Sequence, residues 1–150
     1  MSDEPVRLTD VTRENYLEVL RLKVAEHQQG FVATNEGSVA QSKFHPEYHP
    51  RAIYRGDTAV GFLMYGPFVD DEPAKGTIIF RLMVDQRWQG EGIGRAALYA
   101  AIEEIQRAGG EPITIGYKPE NEVAKGLYAS VGFVESHTDE DGEVIAEFRS

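Results

Sequence analysis

Gln89-Gly90-Glu91-Gly92-Ile93-Gly94-Arg95 joins a β-rich run, Thr77–Val84, to an alanine-rich helical run, Gly92–Ala108. Glycines at every second position from 90 to 94 let the backbone turn sharply and approach a ligand that a Cβ would hold off. The following helix points its first free N–H groups, and the positive end of its dipole, into that turn. A strand, a glycine turn and a helix N-terminus together make a seat for a diphosphate. Two common diphosphate sites fail on spacing. A P-loop needs Lys-Ser or Lys-Thr after its last glycine, and Gly94 is followed by Arg95-Ala96. A dinucleotide fingerprint needs Gly-x-Gly-x-x-Gly, and the glycines here fall at 90, 92 and 94.

Working outward, Val6-Arg7-Leu8 reads as a first strand. Thr12 is placed to cap a helix with Tyr16, Leu17, Leu20 and Val24 at helical spacing, ended by Gly30. Residues 31–50 read as irregular, with a short helix around Ser38–Phe44 and a stiff loop at His45-Pro46 and His49-Pro50. Ala52–Tyr54 and Ala59–Tyr65 flank a hairpin turn at Arg55-Gly56-Asp57. A polar loop, 70–76, leads to the strand Thr77–Val84.

On the far side of the glycine turn, Leu98, Ala101, Ile102 and Ile105 share one helix face, and Gly109-Gly110 stops that helix. Ile113–Tyr117 reads as a strand. Asn121 opens a helix to Val131, with Gly132 at its end. Phe133–Ser136 and Val144–Phe148, joined through Asp141-Gly142, predict a terminal hairpin. The order β-α-(α)-β-β-β-α-β-α-β-β predicts an α+β fold, with about seven strands in a mixed, mostly antiparallel sheet and about four helices on it.

At 150 residues, 41% hydrophobic and 27% charged, the chain is expected to form one domain, residues 1–150. No apolar run reaches the ~18 residues of a membrane span. The acidic start, Met1-Ser2-Asp3-Glu4-Pro5, predicts no secretory leader and hence a cytoplasmic protein. Zero cysteines exclude disulfides, thiolate metal sites and a cysteine nucleophile. A formal charge of −10 argues against nucleic acid as a partner. It suits a cationic substrate, and equally solubility alone. His45-x-x-x-His49 has metal-ligand spacing, but Pro46 and Pro50 argue against a regular helix and no third ligand is evident, so no metal is expected.

Gln89-x-x-Gly92-x-Gly94, preceded by Phe80-Arg81-Leu82-Met83-Val84-Asp85, resembles the acyl-CoA site of the GNAT superfamily of N-acetyltransferases. Some thirty residues on, Asn121-Glu122-Val123-Ala124-Lys125-Gly126-Leu127-Tyr128-Ala129-Ser130-Val131-Gly132-Phe133 is similar to that family's second signature, Asn-x-x-Ala-x-x-Leu-Tyr-x-x-x-Gly-Phe. Within the superfamily the chain looks most like bacterial diamine and spermidine N-acetyltransferases. The strings that carry this are Ala59-Val60-Gly61-Phe62-Leu63-Met64-Tyr65-Gly66 and Arg81-Leu82-Met83-Val84-Asp85-Gln86-Arg87-Trp88-Gln89-Gly90-Glu91-Gly92.

The resemblance implies acetyl-CoA as cosubstrate and a small primary amine, a polyamine or diamine, as acceptor. It places the CoA diphosphate on the N–H groups of Gly90, Glu91, Gly92, Ile93, Gly94 and Arg95, with Gln89 also among the cofactor-binding residues. The pantetheine arm would lie along the splayed strand at Leu82, Met83 and Val84, where a backbone N–H also polarises the thioester carbonyl. Asn121 either caps its helix or also touches the pantetheine. Lys125 either approaches a CoA phosphate or is a solvated helix residue. Tyr128 is the general acid that protonates the departing thiolate. Glu26, Glu36, Asp70, Asp71 and Tyr117 lie in segments that could line an amine channel, and none is singled out as the base. With no cysteine, direct attack in a ternary complex is expected. Other readings are acetylation of a protein N-terminus, a lysine or an aminoglycoside, or a non-catalytic acyl-CoA-binding module. A homodimer paired through the terminal hairpin would fit the family.

Overall fold

β3 (Thr58–Pro67) organises the molecule, because every residue from Ala59 to Gly66 is buried. Successive side chains of a strand point to opposite faces, so a strand this apolar needs cover on both. Val60, Leu63 and Tyr65 enter one core, and Ala59, Phe62 and Met64 enter a second. A computed structural model, which describes residues 4–69 and 75–149, shows what covers each face.

In chain order the elements are β1 (Val6–Asp10), α1 (Tyr16–Leu20), α2 (Asn35–Phe44), β2 (His49–Arg55), β3, β4 (Thr77–Val84), α3 (Ile93–Arg107), β5 (Ile113–Tyr117), α4 (Glu122–Val131), β6 (Phe133–Thr138) and β7 (Val144–Phe148). Short 3-10 turns stand at Glu26–Gln28 and Gln86–Trp88. The strands form one sheet ordered β1-β2-β3-β4-β5-β7-β6, antiparallel except where β4 meets β5. This is the predicted α+β architecture, with seven strands and four α-helices among the described residues.

α3 lays Ala97, Leu98, Ala101, Ile102 and Ile105 against one face, joined by Ala124, Tyr128 and Val131 of α4. Each large apolar side chain buried there contributes about 1.5–3 kcal/mol. The opposite face is covered from the N-terminal third by Val19 and Leu22. No helix among the described residues is long and apolar enough to cross a membrane.

Three elements differ from expectation. The helix expected from Thr12 to Gly30 ends at Leu20, and Asn15 rather than Thr12 is its N-cap. Continuing it would require the Lys23 N–H to donate to the Val19 carbonyl. The Val19 carbonyl instead accepts from Asn35 Nδ2 at 2.9 Å, and the Lys23 N–H donates to Asp85 Oδ2 at 3.0 Å. Tyr16 and Leu17, counted in the apolar stripe, are 40% and 53% exposed, whereas Val19 and Leu22 are the buried pair.

The loop expected at His49-Pro50 is the start of β2, with His49 opposite Tyr65 and Pro50 opposite Met64. Pro50 lies one residue beyond the Asp10↔Arg51 pair that ends β1, so β2 has a neighbour on one side only there. The helix expected around Ser38–Phe44 starts earlier, at Asn35, with the Thr34 hydroxyl accepting from the Gly37 N–H at 3.1 Å. Of the polar loop, residues 70–74 lie outside the described residues.

Candidate active site

β4 and β5 run parallel for only three pairs, Thr77↔Ile113, Ile78↔Thr114 and Ile79↔Ile115, and then diverge. β4 continues from Phe80 to Val84 with β3 on one side and no strand on the other. The Asp85 N–H donates to the Val60 carbonyl at 2.8 Å. Counting back along the antiparallel ladder, Met83 turns its backbone polar groups toward β3, while Leu82 and Val84 turn theirs to the open edge. The expected stretch Leu82, Met83 and Val84 therefore divides. Leu82 and Val84 offer main-chain groups to the gap, and Met83 sends its side chain into the second core.

A cleft of about 300 Å³ fills the gap, floored by Leu82, Met83 and Val84 and closed by Gly90, Gly92, Ile93, Gly94 and Arg95. Gly90 and Gly92 hold φ of +81° and +78°, conformations that L side chains rarely adopt, and a Cβ on either would meet nothing within 4 Å. The glycines thus keep a concave backbone bare. Gly94 differs: a Cβ there would come 3.2 Å from Leu127 Cδ2, so it allows α3 to pack on α4. No side chain caps α3, whose N-cap is Gly92, whereas Asn121 Oδ1 caps α4 by accepting from the Ala124 N–H at 3.2 Å. The amides of Ile93, Gly94 and Arg95 are the uncapped start of a fifteen-residue helix.

Gln89 acts as a strut. Its Nε2 donates to the Val84 carbonyl at 2.9 Å and to Gln28 Oε1 at 2.8 Å. Gln28 Oε1 also accepts from the Ala25 N–H at 3.0 Å, so one amide ties β4, the glycine turn and the 3-10 turn together. Asp85 reinforces the joint by accepting from the backbone N–H and Nε of Arg87 at 3.0 and 2.8 Å, besides the Lys23 N–H. Burial pushes this carboxyl up, but the hydrogen bonds from Arg87 and Lys23 outweigh it and hold it below the ordinary aspartate value.

Asn121 lines the cleft as well as capping α4. Two expected residues stand outside the lining. Glu91 turns away to pair with Arg55 Nη1 at 2.8 Å. Lys125 Nζ lies 4.0 Å from Glu135 Oε1.

Tyr128 is 7% exposed and lines the cleft, with its ring edge-on to Tyr117 at 5.4 Å and to Phe133 at 6.2 Å. Its hydroxyl has no hydrogen-bond partner among the described residues, yet it is not a sealed orphan like Trp88 Nε1. Burial first, and the neighbouring Tyr117 second, push this phenol above its ordinary value, so it stays protonated at neutral pH. Tyr117 also lines the cleft and donates to Glu135 Oε1 at 2.7 Å.

The broken helix contributes lining that sequence reasoning missed: Val24, Gln28, Phe31 and Val32. Its break rests on contacts to Asn35 and Asp85, which no local pattern reveals. Arg81 was quoted only as part of a motif, and it too lines the cleft. Glu26 and Glu36, offered for the amine channel, are not in the lining, and Asp70 and Asp71 lie outside the described residues. His45 stacks on Tyr48 at 4.7 Å and His49 on Tyr65 at 4.9 Å, so the two rings serve different partners.

A splayed strand pair, a bare glycine turn and an uncapped helix thus meet at one cleft. The chain belongs to the Acetyltransferase (GNAT) family, whose model matches residues 11–133. Its members use acetyl-CoA, and this chain is an acetyl-CoA-dependent N-acetyltransferase. It is 29% identical over 103 residues to a spermine/spermidine N(1)-acetyltransferase of Bacillus subtilis, covering 67% of this chain and 68% of that protein. The PaiA N-acetyltransferase of Thermoplasma acidophilum, solved in complex with coenzyme A, has the same fold, with a TM-score of 0.69 and 16% identity over the whole of both chains. The ribosomal-protein-S18-alanine N-acetyltransferase of Escherichia coli superposes with a TM-score of 0.70 at 18% identity, covering 95% of this chain and 92% of that one.

The residues present fit coenzyme A. The bare amides at Gly90–Arg95 and the guanidinium of Arg95 suit a diphosphate, and the open edge at Leu82 and Val84 suits an amide-bearing arm.

Proposed function

We propose that this chain transfers an acetyl group to a primary amine by direct attack in a ternary complex, with Tyr128 as general acid. Acetyl-CoA supplies the activated acyl group. Gly90 to Arg95 hold its diphosphate, Leu82 and Val84 bind along its arm, and a backbone N–H of the open edge polarises the carbonyl as negative charge develops. Tyr128 then gives its proton to the departing sulfur. A raised phenol value keeps that proton in place until it is needed. The same burial penalises a thiolate beside it, so the transfer runs between two comparably desolvated anions.

The single observation that carries this reading is that Tyr128, buried and with no hydrogen-bond partner for its hydroxyl among the described residues, lines the same cleft as Gly90, Gly92 and Gly94. The test is thiol release from acetyl-CoA across a panel of primary amines, with mass spectrometry of the products. Calorimetric binding of acetyl-CoA without modification of any amine would mark a regulatory module instead.

A narrower reading, a polyamine acceptor, is supported by the Bacillus subtilis relative and by the net charge of −10. Spermine, spermidine and putrescine therefore belong in the panel. The exposed edge strand β6 supports pairing with a second copy, which sedimentation velocity checks.

A further inference from the structure

The cleft is lined by a cation, Arg81, that makes no ion pair among the described residues. Arg81 is partly buried on β4, beside Leu82, whose backbone faces the cleft. Its Nε donates to Ser38 Oγ at 3.2 Å, its Nη1 to the Phe80 carbonyl at 2.9 Å, and its Nη2 to Gln41 Oε1 at 3.4 Å. All three partners are neutral. A guanidinium has five N–H donors, so one hydrogen on each terminal nitrogen is left over. The planar donor set of a guanidinium suits a carboxylate.

Among the described residues no aspartate or glutamate lines the cleft. One acid among the described residues acts on it from a distance: Glu143, whose carboxylate sits 3.3 Å from where a Cβ on Gly116 would be. It attracts Arg81 through space but is not in ion-pair contact with it. Charges taken out of water are ordinarily paired. Arg81 is held in place by α2 and has no ion-pair partner among the described residues, beside the strand proposed to carry the acyl group.

We propose that Arg81 is the anion anchor of the acceptor site, so that the favoured acceptor is a primary amine that also carries a carboxylate, of the amino-acid or short-peptide type. The inference rests on the acetyl-transfer reading above, and it favours a carboxylate-bearing acceptor over the polyamine acceptor. Arg81 is one residue, ~3.3 Å along the strand, from Leu82, so the carboxylate binds within a short linker of the reacting nitrogen.

The experiment compares kcat/KM for amines of matched linker length ending in methyl, carboxylate, phosphonate or ammonium, over linkers of two to five carbons. The wild-type protein is expected to favour the carboxylate over the methyl analogue by at least ~10-fold, the worth of a charge-assisted hydrogen-bonded pair. In Arg81→Gln that ratio collapses toward unity, and Arg81→Lys restores part of it. The gain falls mainly on KM, because the anchor binds ground and transition states alike.

Several results overturn the proposal: an ammonium-ended amine preferred over the carboxylate, a phosphonate preferred over it, or a carboxylate advantage unchanged in Arg81→Gln. The wild-type comparison of end groups stands even if a variant folds poorly. Turnover of methyl-ended and ammonium-ended amines alone sinks the anchor and leaves acetyl transfer intact. No thiol release with any amine sinks both.

Discussion

Tyr128→Phe isolates one atom. The lost hydroxyl makes no hydrogen bond among the described residues, and the ring keeps its edge contacts to Tyr117 and Phe133. Folding stability is therefore expected to move by less than ~1 kcal/mol, since no buried partner is orphaned. Catalysis loses far more. A positioned general acid contributes about 10²–10⁴-fold, equivalent to roughly 3–5 kcal/mol of transition-state stabilisation at 1.36 kcal/mol per decade. The loss is expected in kcat at saturating amine and acetyl-CoA, with the Kd for acetyl-CoA unchanged within a factor of ~2. The pH profile gives a second readout. Deprotonation of Tyr128 would remove the acid, and burial has moved that event above the ordinary phenol value of ~10. Wild-type kcat should thus show no fall between pH 7 and ~10 from this group. Turnover of Tyr128→Phe equal to wild type under saturation, with thermal unfolding unchanged, would refute the assignment.

Other expectations test the scaffold. Asp85→Asn removes a charged acceptor from three N–H groups and should cost about 2–3 kcal/mol by denaturant titration. Because the native carboxyl is held below its unfolded value of ~3.9, its stabilisation is present above that pH and is lost as pH falls through the native value. The variant should accordingly show a flatter decline of Tm below pH ~4 than wild type. Gly92→Ala puts a Cβ at φ +78°, which costs ~1–2 kcal/mol in a left-handed backbone. Gly92 lines the cleft proposed to hold the diphosphate, so calorimetry should show weaker acetyl-CoA binding as well as lower stability. Asn35→Leu strips the side-chain donor from the Val19 carbonyl in a position only 4% exposed. A loss of about 1–3 kcal/mol is expected, and an unchanged Tm would show that the end of α1 has another cause.

Much of the architecture was legible because it is written in short-range chemistry. Asn121, Gly132 and the apolar spacing between them delimit α4, and the observed ends are Glu122 and Val131. β4 and β5 carry the predicted bounds, since an unbroken apolar run between turn residues has few other fates. The glycine turn was legible for the same reason: only glycine makes positive φ cheap at positions 90 and 92. These are properties of neighbours in the chain.

What the sequence could not disclose was decided at a distance. α1 stops where Asn35 takes the Val19 carbonyl and Asp85 takes the Lys23 N–H, partners sixteen and sixty-two residues away. That interruption frees residues 21–34 to wall the cleft with Val24, Gln28, Phe31 and Val32. Likewise, the splay of β4 from β5 and the isolation of Arg81 exist only once the sheet is assembled. Local propensity and alternation choose the elements; hydrogen bonds and burial between remote segments choose where an element ends and which polar groups it leaves for a ligand.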